Sequence, residues 1–347
     1  MLVLGIETSC DETSAAVVSS ERKILSNVLI SQIDEHKTYG GVVPEVGARA
    51  HLEVLETIIS QALQQANVTL DDLEGIAVTA GPGLIGGVFV GVTMAKAIAA
   101  AKKIPFLAIN HLAGHALTAR LAEPLDFPYL LLLVSGGHSQ LLIVKSALEY
   151  ILLGTTLDDA VGEAFDKVAK ILGLSYPGGP SIERLARLGD PKKFGLPRPL
   201  LHHKDASLKC SFSFSGLKTA VRQEIAKLPF MQEEDCQDMA ASFQTTVIDI
   251  LTDRSSNALE VCLHQGIALN AFVVAGGVAS NQSLREALQK VCQNFGIKFI
   301  APPAVLCTDN AAMIAWAGIE KLRLKAIDAL DFAPKPRWPL ESIKGGE

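Results

Sequence analysis

The sequence predicts an α/β protein of two domains built twice on one plan. Three observations carry this. The 347 residues are enough for two hydrophobic cores. An apolar pair of strands, 2–6 and 15–18, flanks a polar turn, and a second pair, 129–134 and 140–144, flanks another. Two further strands, 76–79 and 271–275, each run into a glycine-rich turn and then a helix. The recurrence points to an internal duplication of pattern, not of residues.

Composition sets the class. With 49% apolar and 20% charged residues the chain reads as globular. A net charge of -6 makes the surface as a whole a poor match for a polyanion, leaving only a local basic patch for nucleic acid. No basic segment precedes a long apolar one at the N-terminus, and no apolar run is read as reaching membrane-spanning length. The six cysteines are scattered without a CxxC pair, which suggests reduced thiols and a cytoplasmic protein, with no membrane association.

The elements follow in order. The first hairpin closes through Glu7-Thr8-Ser9-Cys10-Asp11-Glu12-Thr13-Ser14, a run of hydroxyls and carboxylates where a tight turn would use Asn-Gly. It fits a polar ligand or metal, and equally a solvated hairpin end. Residues 36–51 place Gly and Pro ahead of a helix continued by Leu52, Leu55, Ile58, Ile59 and Leu63. The turn Gly81-Pro82-Gly83-Leu84-Ile85-Gly86-Gly87 leads to an Ala-rich helix from Gly91 to Ala101; its glycines suit an anion cradle or close helix packing.

After a strand at 104–109 comes Asn110-His111-Leu112-Ala113-Gly114-His115. Imidazoles four apart on a helix share a face, so both can reach one metal ion. Two packed or capped helix histidines fit the spacing as well. Leu112 stands where a zinc protease of the H-E-x-x-H type carries its Glu base.

Downstream, Ser135-Gly136-Gly137-His138-Ser139 forms the second hairpin's turn, and 158–169 reads as a helix with an acidic side. Tyr176-Pro177-Gly178-Gly179-Pro180 breaks it. Lys192, Lys193, Arg198, His202, His203, Lys204 and Lys209, ending in Phe212-Ser213-Phe214-Ser215-Gly216, form a basic and aromatic stretch that reads as a nucleic-acid contact or a solvated loop. Two helices are expected over about 233–265, then Gly276-Gly277-Val278-Ala279-Ser280-Asn281 and a helix over 282–295. Thr308 is a plausible cap for a last helix at 311–322, with Asp309 at its entrance, and the tail from Pro334 reads as loose.

Two hairpin-opened halves with glycine-rich cradles fit the actin-like (ASKHA, RNase H-like) α/β architecture, in which a central cleft holds nucleotide or metal. The boundaries expected are 1–125 with about 308–347, and 126–307 with a helical and basic insertion. At this point five stretches resemble one family: Gly5-Ile6-Glu7-Thr8-Ser9-Cys10-Asp11-Glu12-Thr13, Gly40-Gly41-Val42-Val43-Pro44-Glu45, the 110–115 stretch, Val134-Ser135-Gly136-Gly137-His138-Ser139, and the 276–281 turn. The chain is similar, from residue 1 to about 325, to the TsaD family, also called Gcp or the Kae/Qri group, the tRNA threonylcarbamoyladenosine transferases.

The resemblance implies one divalent metal ion, Fe²⁺ or Zn²⁺, on His111, His115 and Asp309, a donor set that suits either ion with open positions. It implies a substrate pocket lined by Leu133, Val134, Ser135, Gly136, Gly137, Asp166, Gly179, Glu183 and Asn281, and an ATP- or AMP-type nucleotide in the cleft. The reaction implied moves a threonylcarbamoyl group from threonylcarbamoyl-AMP to the exocyclic amine of the adenosine beside the anticodon in tRNAs reading ANN codons. Implied partners are tRNA, a TsaB-like paralogue, a TsaE-like ATPase and a separate synthase that makes the donor. Asp11 and Glu12 are the candidates for positioning the amine or taking its proton. The rival readings are a metal-dependent glycoprotease, against which Leu112 argues, a small-molecule kinase, which needs no His pair, and a non-catalytic scaffold.

Overall fold

A computed structural model describes residues 1–32, 43–201, 203 and 205–343. By internal contacts the chain divides into one unit of Met1–Leu125, Lys145–Tyr150 and Thr308–Glu347 and another of Asp126–Val144 and Ile151–Cys307.

In the first unit β1 (Leu2–Glu7), β2 (Glu12–Ser19) and β3 (Ile24–Ser31) form an antiparallel meander. After α1 (Pro44–Ala66), β4 (Gly75–Gly81) lies parallel to β1; after α2 (Ile85–Lys102), β5 (Phe106–Asn110) lies parallel to β4. The sheet order is β3-β2-β1-β4-β5, and α3 (His111–Ala122) leaves directly from β5. Strands β1, β4 and β5 are buried along nearly their whole length, which is why they read as unbroken apolar runs.

The second unit repeats the connectivity. β6 (Tyr129–Val134) pairs antiparallel with β7 (Ser139–Ser146), which neighbours β8 (Glu149–Thr155). Helices α4 (Val161–Ile171), α5 (Gly178–Ala186), α6 (Ser215–Ile225) and α7 (Glu233–His264) precede β9 (Phe272–Ala275), which is parallel to β6. Helix α8 (Gln282–Asn294) leads to β10 (Phe299–Ile300), parallel to β9. The order β10-β9-β6-β7-β8 is the first sheet's order read from its other edge. The last helix, α9 (Ala311–Arg323), belongs to the first unit and packs on β1. That approach requires Gly5, because a Cβ there would collide with the Ala311 carbonyl.

Several expectations need correction. Residues 233–264 are one helix, since no Gly or Pro interrupts them and Ser255 and Ser256 turn their hydroxyls back onto the Leu251 and Thr252 carbonyls. The first hairpin's turn is shorter than expected, because β2 already begins at Glu12. The anion-cradle reading of 81–87 shrinks, because Gly86 and Gly87 lie inside α2. The helix expected from Asp158 begins at Val161. Helix α2 is long and apolar enough to cross a membrane by length and composition, because its Val, Ile and Ala residues carry it over that threshold; one face of it is instead buried through Val88, Val92, Ala95 and Ala99. Over its described residues, 334–343, the tail is not loose: Trp338 is 9% and Leu340 0% exposed. All six cysteines are free thiols. Gly40, Gly41 and Val42 of the second family stretch, His202 and Lys204 lie outside the described residues.

Candidate functional site

Two capped helix starts build the centre. Asn110 ends β5 and caps α3: its Oδ1 accepts from the Leu112 N–H at 2.9 Å and the Ala113 N–H at 3.4 Å. His111 is therefore the first helical residue, with His115 one turn on. The other start is capped by Asn310, not Thr308; Asn310 Oδ1 accepts from the Met313 N–H at 3.0 Å and leaves Asp309 just outside α9. Gly114 lets α3 and α9 close together, since a Cβ there would sit 2.8 Å from Ile314 Cδ1.

His115 Nε2 lies 3.0 Å and His111 Nε2 3.4 Å from Asp309 Oδ1, and ligand atoms of the three residues lie within 4.8 Å of one another. Donors about 2.1 Å from one ion, at octahedral or tetrahedral angles, stand roughly 3.0 to 3.4 Å apart, so the spacing of each imidazole from Asp309 fits a shared metal. This is the one such His/Cys/carboxylate group found among the described residues. His115 Nδ1 is buried without a hydrogen-bond partner, an uncompensated atom of the kind native structures keep few of.

Behind His111 stands a carboxylate the sequence reading did not single out for this role. Glu7 is 1% exposed, and its Oε2 lies 3.1 Å from His111 Nδ1. Its oxygens also accept from the Ser9 N–H at 2.6 Å and from the Thr79 hydroxyl. Ser9 Oγ lies 3.2 Å from the same ring nitrogen. This pins the ring and turns Nε2 towards Asp309. Burial opposes protonation of His111, but Asp309 and Glu7 outweigh it and raise its pKa well above the ordinary range. Burial likewise opposes ionisation of Asp309, yet His111 and His115 hold its carboxyl well below the usual value. Two carboxylates thus face one imidazolium, and a divalent cation would displace that proton.

The remaining acids of the turn join this unit. Asp11 is 9% exposed in the turn, and Glu12 opens β2. Burial, then Asp309 and Asp11, push the Glu12 carboxyl up to about 10, so without a cation it stays protonated at neutral pH. The turn is held from below. Thr8 Oγ1 donates to the Gly87 carbonyl at 2.9 Å, and His51 Nε2 lies 3.1 Å from the Cys10 carbonyl.

The pocket residues implied by the resemblance all lie in the second unit. Leu133 and Val134 are buried in β6. Ser135 accepts from the His138 N–H through its side chain at 3.1 Å, while Gly136 and Gly137 face open space. Asp166, on α4, accepts from the Gly178 N–H at 2.7 Å, where α5 begins; Gly179 beside it is open. Glu183, on α5, accepts from the Gln282 N–H at 3.0 Å. Asn281 caps α8 through its Oδ1 and donates Nδ2 to Gln244 Oε1 at 2.8 Å. Glycines bring these turns together: a Cβ on Gly162 would meet the Ser135 carbonyl at 2.6 Å, and one on Gly276 would strike that of Val134.

The basic stretch is partly neutralised. Arg198 pairs with Asp249 at 2.7 Å and Lys209 with Glu260 at 2.8 Å. Phe212 and Phe214 are fully buried, so they are core residues and not a stacking surface.

The profile of the family described as TsaD, tRNA N6-adenosine threonylcarbamoyltransferase, matches residues 23–316. A protein of Brucella anthropi named tRNA N6-adenosine threonylcarbamoyltransferase is 56% identical over 347 residues, spanning 98% of this chain and 96% of that protein; one from Brucella canis is equally similar. Among solved structures, HypF of T. kodakarensis superposes with a TM-score of 0.60 at 13% identity, covering 93% of this chain and 48% of its own. The ROK hexokinase of Thermus thermophilus gives 0.52 at 17% identity, covering 94% and 99%. At such identities these show the fold alone, and it is the actin-like one. On the profile match and on 56% identity across almost its entire length, the chain belongs to the tRNA N6-adenosine threonylcarbamoyltransferase family.

Proposed function

We propose that the chain transfers the threonylcarbamoyl group of threonylcarbamoyl-AMP to N6 of the adenosine beside the anticodon in tRNAs reading ANN codons, with a divalent metal, Fe²⁺ or Zn²⁺, on His111, His115 and Asp309. The observation that carries the metal assignment is the 3.0 and 3.4 Å spacing of the two imidazoles about Asp309. A metal bound there supplies a Lewis acid for the carbamoyl oxygen. In the reaction the N6–C bond forms, the bond from the carbonyl carbon to the phosphate oxygen breaks, AMP leaves and one amine proton must be removed. Asp11 and Glu12 are assigned to positioning the amine and taking that proton, which Glu12 can accept only where a bound cation has displaced its own. Glu7 holds His111 in the tautomer that presents Nε2.

Leu133 to Gly137, Asp166, Gly179, Glu183 and Asn281 are assigned to the substrate, with the open glycine turns suited to the adenylate phosphate. The two actin-like subdomains are taken as 1–125 with about 308–347, and 126–307. The work is placed in the cytoplasm with tRNA, beside a TsaB-like paralogue, a TsaE-like ATPase and a separate synthase. The protease reading falls behind because Leu112 replaces the Glu base, and the kinase reading because it gives the His pair no role.

Reconstitution tests this reading. Unmodified tRNA, threonine, bicarbonate, ATP, the synthase and the partners are combined with the metal-loaded chain, and the nucleosides are analysed. Threonylcarbamoyladenosine formed only with the chain present supports it; none formed with active partners overturns it.

A further inference from the structure

The segment after Pro334 crosses the metal-bearing unit at two corners, and both lead to His111. Trp338 anchors it at 9% exposure, its ring 5.5 Å from that of Phe332 and 4.7 Å from Lys335 Nζ, with Leu340 fully buried beyond. At the first corner the Trp338 carbonyl accepts from Asn110 Nδ2 at 2.8 Å. The other end of that amide caps α3, whose first residue is His111. At the second corner the Lys335 N–H donates to the Ala80 carbonyl at 2.7 Å, and the Lys335 carbonyl lies over Gly81, where any side chain would collide. Gly83 donates its N–H to the Pro336 carbonyl at 3.3 Å, Leu84 donates to the Ser9 carbonyl at 2.8 Å, and Ser9 Oγ stands 3.2 Å from His111 Nδ1.

We propose that residues 335–340 are a positioning strap for the metal ligand His111, holding the start of α3 and the Ser9 turn in the geometry that binds the ion. Its polar contacts at the corners are made by main-chain groups, so what the sequence must supply is the anchor, Trp338 and Leu340, and the side chain that reads it, Asn110. Ligand geometry must be held to within about 0.5 Å for full affinity, and groups behind the ligands change metal affinity about 10- to 100-fold. The inference rests on reading His111, His115 and Asp309 as metal ligands.

The test is metal affinity, by competition with a chromophoric chelator for Zn²⁺ or anaerobic Fe²⁺, together with the unfolding midpoint of the metal-free protein. Two variants are compared with the full chain: one ending at Pro334, and Asn110→Ser. Serine keeps an oxygen to cap α3 but has no amide to give the Trp338 carbonyl. Asn110→Ser, assayed where it is fully folded, should bind the ion about 10-fold more weakly, with its metal-free midpoint lowered only by the loss of one buried hydrogen bond, and the truncated chain should bind more weakly still. If truncation prevents folding, Asn110→Ser, with every apolar anchor intact, decides alone. Wild-type affinity in Asn110→Ser overturns the strap and leaves the ligand assignment standing. A full chain that holds no metal overturns the ligand assignment and the strap with it.

Discussion

In both units a hairpin is followed by a parallel strand and a glycine-bearing turn, yet the turns are furnished differently. In the first, Glu7, Asp11 and Glu12 surround the hairpin turn, and the glycines are closed by protein: Gly81 by the Lys335 carbonyl, Gly83 by Ser9, whose Cβ would be 2.6 Å away. In the second, Gly276 is closed by the Val134 carbonyl, but Gly136, Gly137 and Gly277 have open space where a side chain would be. The shared connectivity fixes where turns fall. What each turn can hold depends on whether its main-chain groups are spent on the protein or left facing outward, and on the charges beside it. On the proposed function, the first unit would take a cation and the second an anion.

The sharpest way to break this comparison is to remove a cation ligand. His111→Ala and Asp309→Ala should each lower metal affinity more than about 100-fold and abolish transfer, with the fold retained in circular dichroism. A metal-free variant at full activity would defeat the assignment. Glu7→Gln comes next. It keeps the shape, removes the charge behind His111, and should weaken metal binding about 10-fold or more without removing a ligand. Equal affinity in chelator competition would reduce Glu7 to a structural acid.

The glycines sharpen the comparison. Gly83→Ala must push against Ser9 and should cost about 1 to 3 kcal/mol in denaturant unfolding, while also loosening metal. Gly137→Ala has room and should cost less than about 0.5 kcal/mol and leave metal content unchanged, but it should weaken donor binding in calorimetry. If both variants behave alike, open and closed glycines do not separate the two roles.

The smallest effect expected is at Asp158, an exposed residue whose carboxylate accepts from the N–H groups of Phe214 and Ser215 and from the hydroxyls of Ser213 and Ser215 at the start of α6. Burial is the largest single influence and opposes its charge, but these donors together win and lower its pKa. A carboxyl lowered on folding adds stability above its unfolded pKa of about 3.9 and loses it as pH falls through the folded value. Because Asp158 is exposed and solvent screens its charge, Asp158→Asn should therefore cost only about 0.3 kcal/mol near neutrality and nothing at the acid end, read from unfolding midpoints across pH. A penalty that does not shrink as the pH falls would point to shape in place of charge.

Much of this was legible in the residues. The alternation of apolar runs with polar turns gave the strands, because strands buried on both faces leave no other pattern. The His111 and His115 spacing follows from helical geometry alone. Asp309 came only through family resemblance, since nothing local says that a residue 194 positions beyond His115 will stand beside it. Other features were not visible at all. Residues 233–264 read as two helices although no Gly or Pro divides them, and they form one helix, buried all round over 238–244 and along one face from there to Cys262. Phe212 and Phe214 fall within a stretch that reads as a nucleic-acid contact or a solvated loop, but the core claims them.

The sequence by itself determined the class, the duplicated plan and the chemical identity of the donors, because periodicity and residue type are local properties. Only the tertiary structure decided which groups act on one another. Glu7 ends an apolar strand and carries no mark of a partner in its neighbourhood, yet folding seals it against His111, where a buried charge must find an opposite one. The tail reads as polar and loose because its contacts are made by main-chain carbonyls, which no side-chain pattern announces. It becomes a strap only when β4, β5 and α3 present the groups that those carbonyls satisfy.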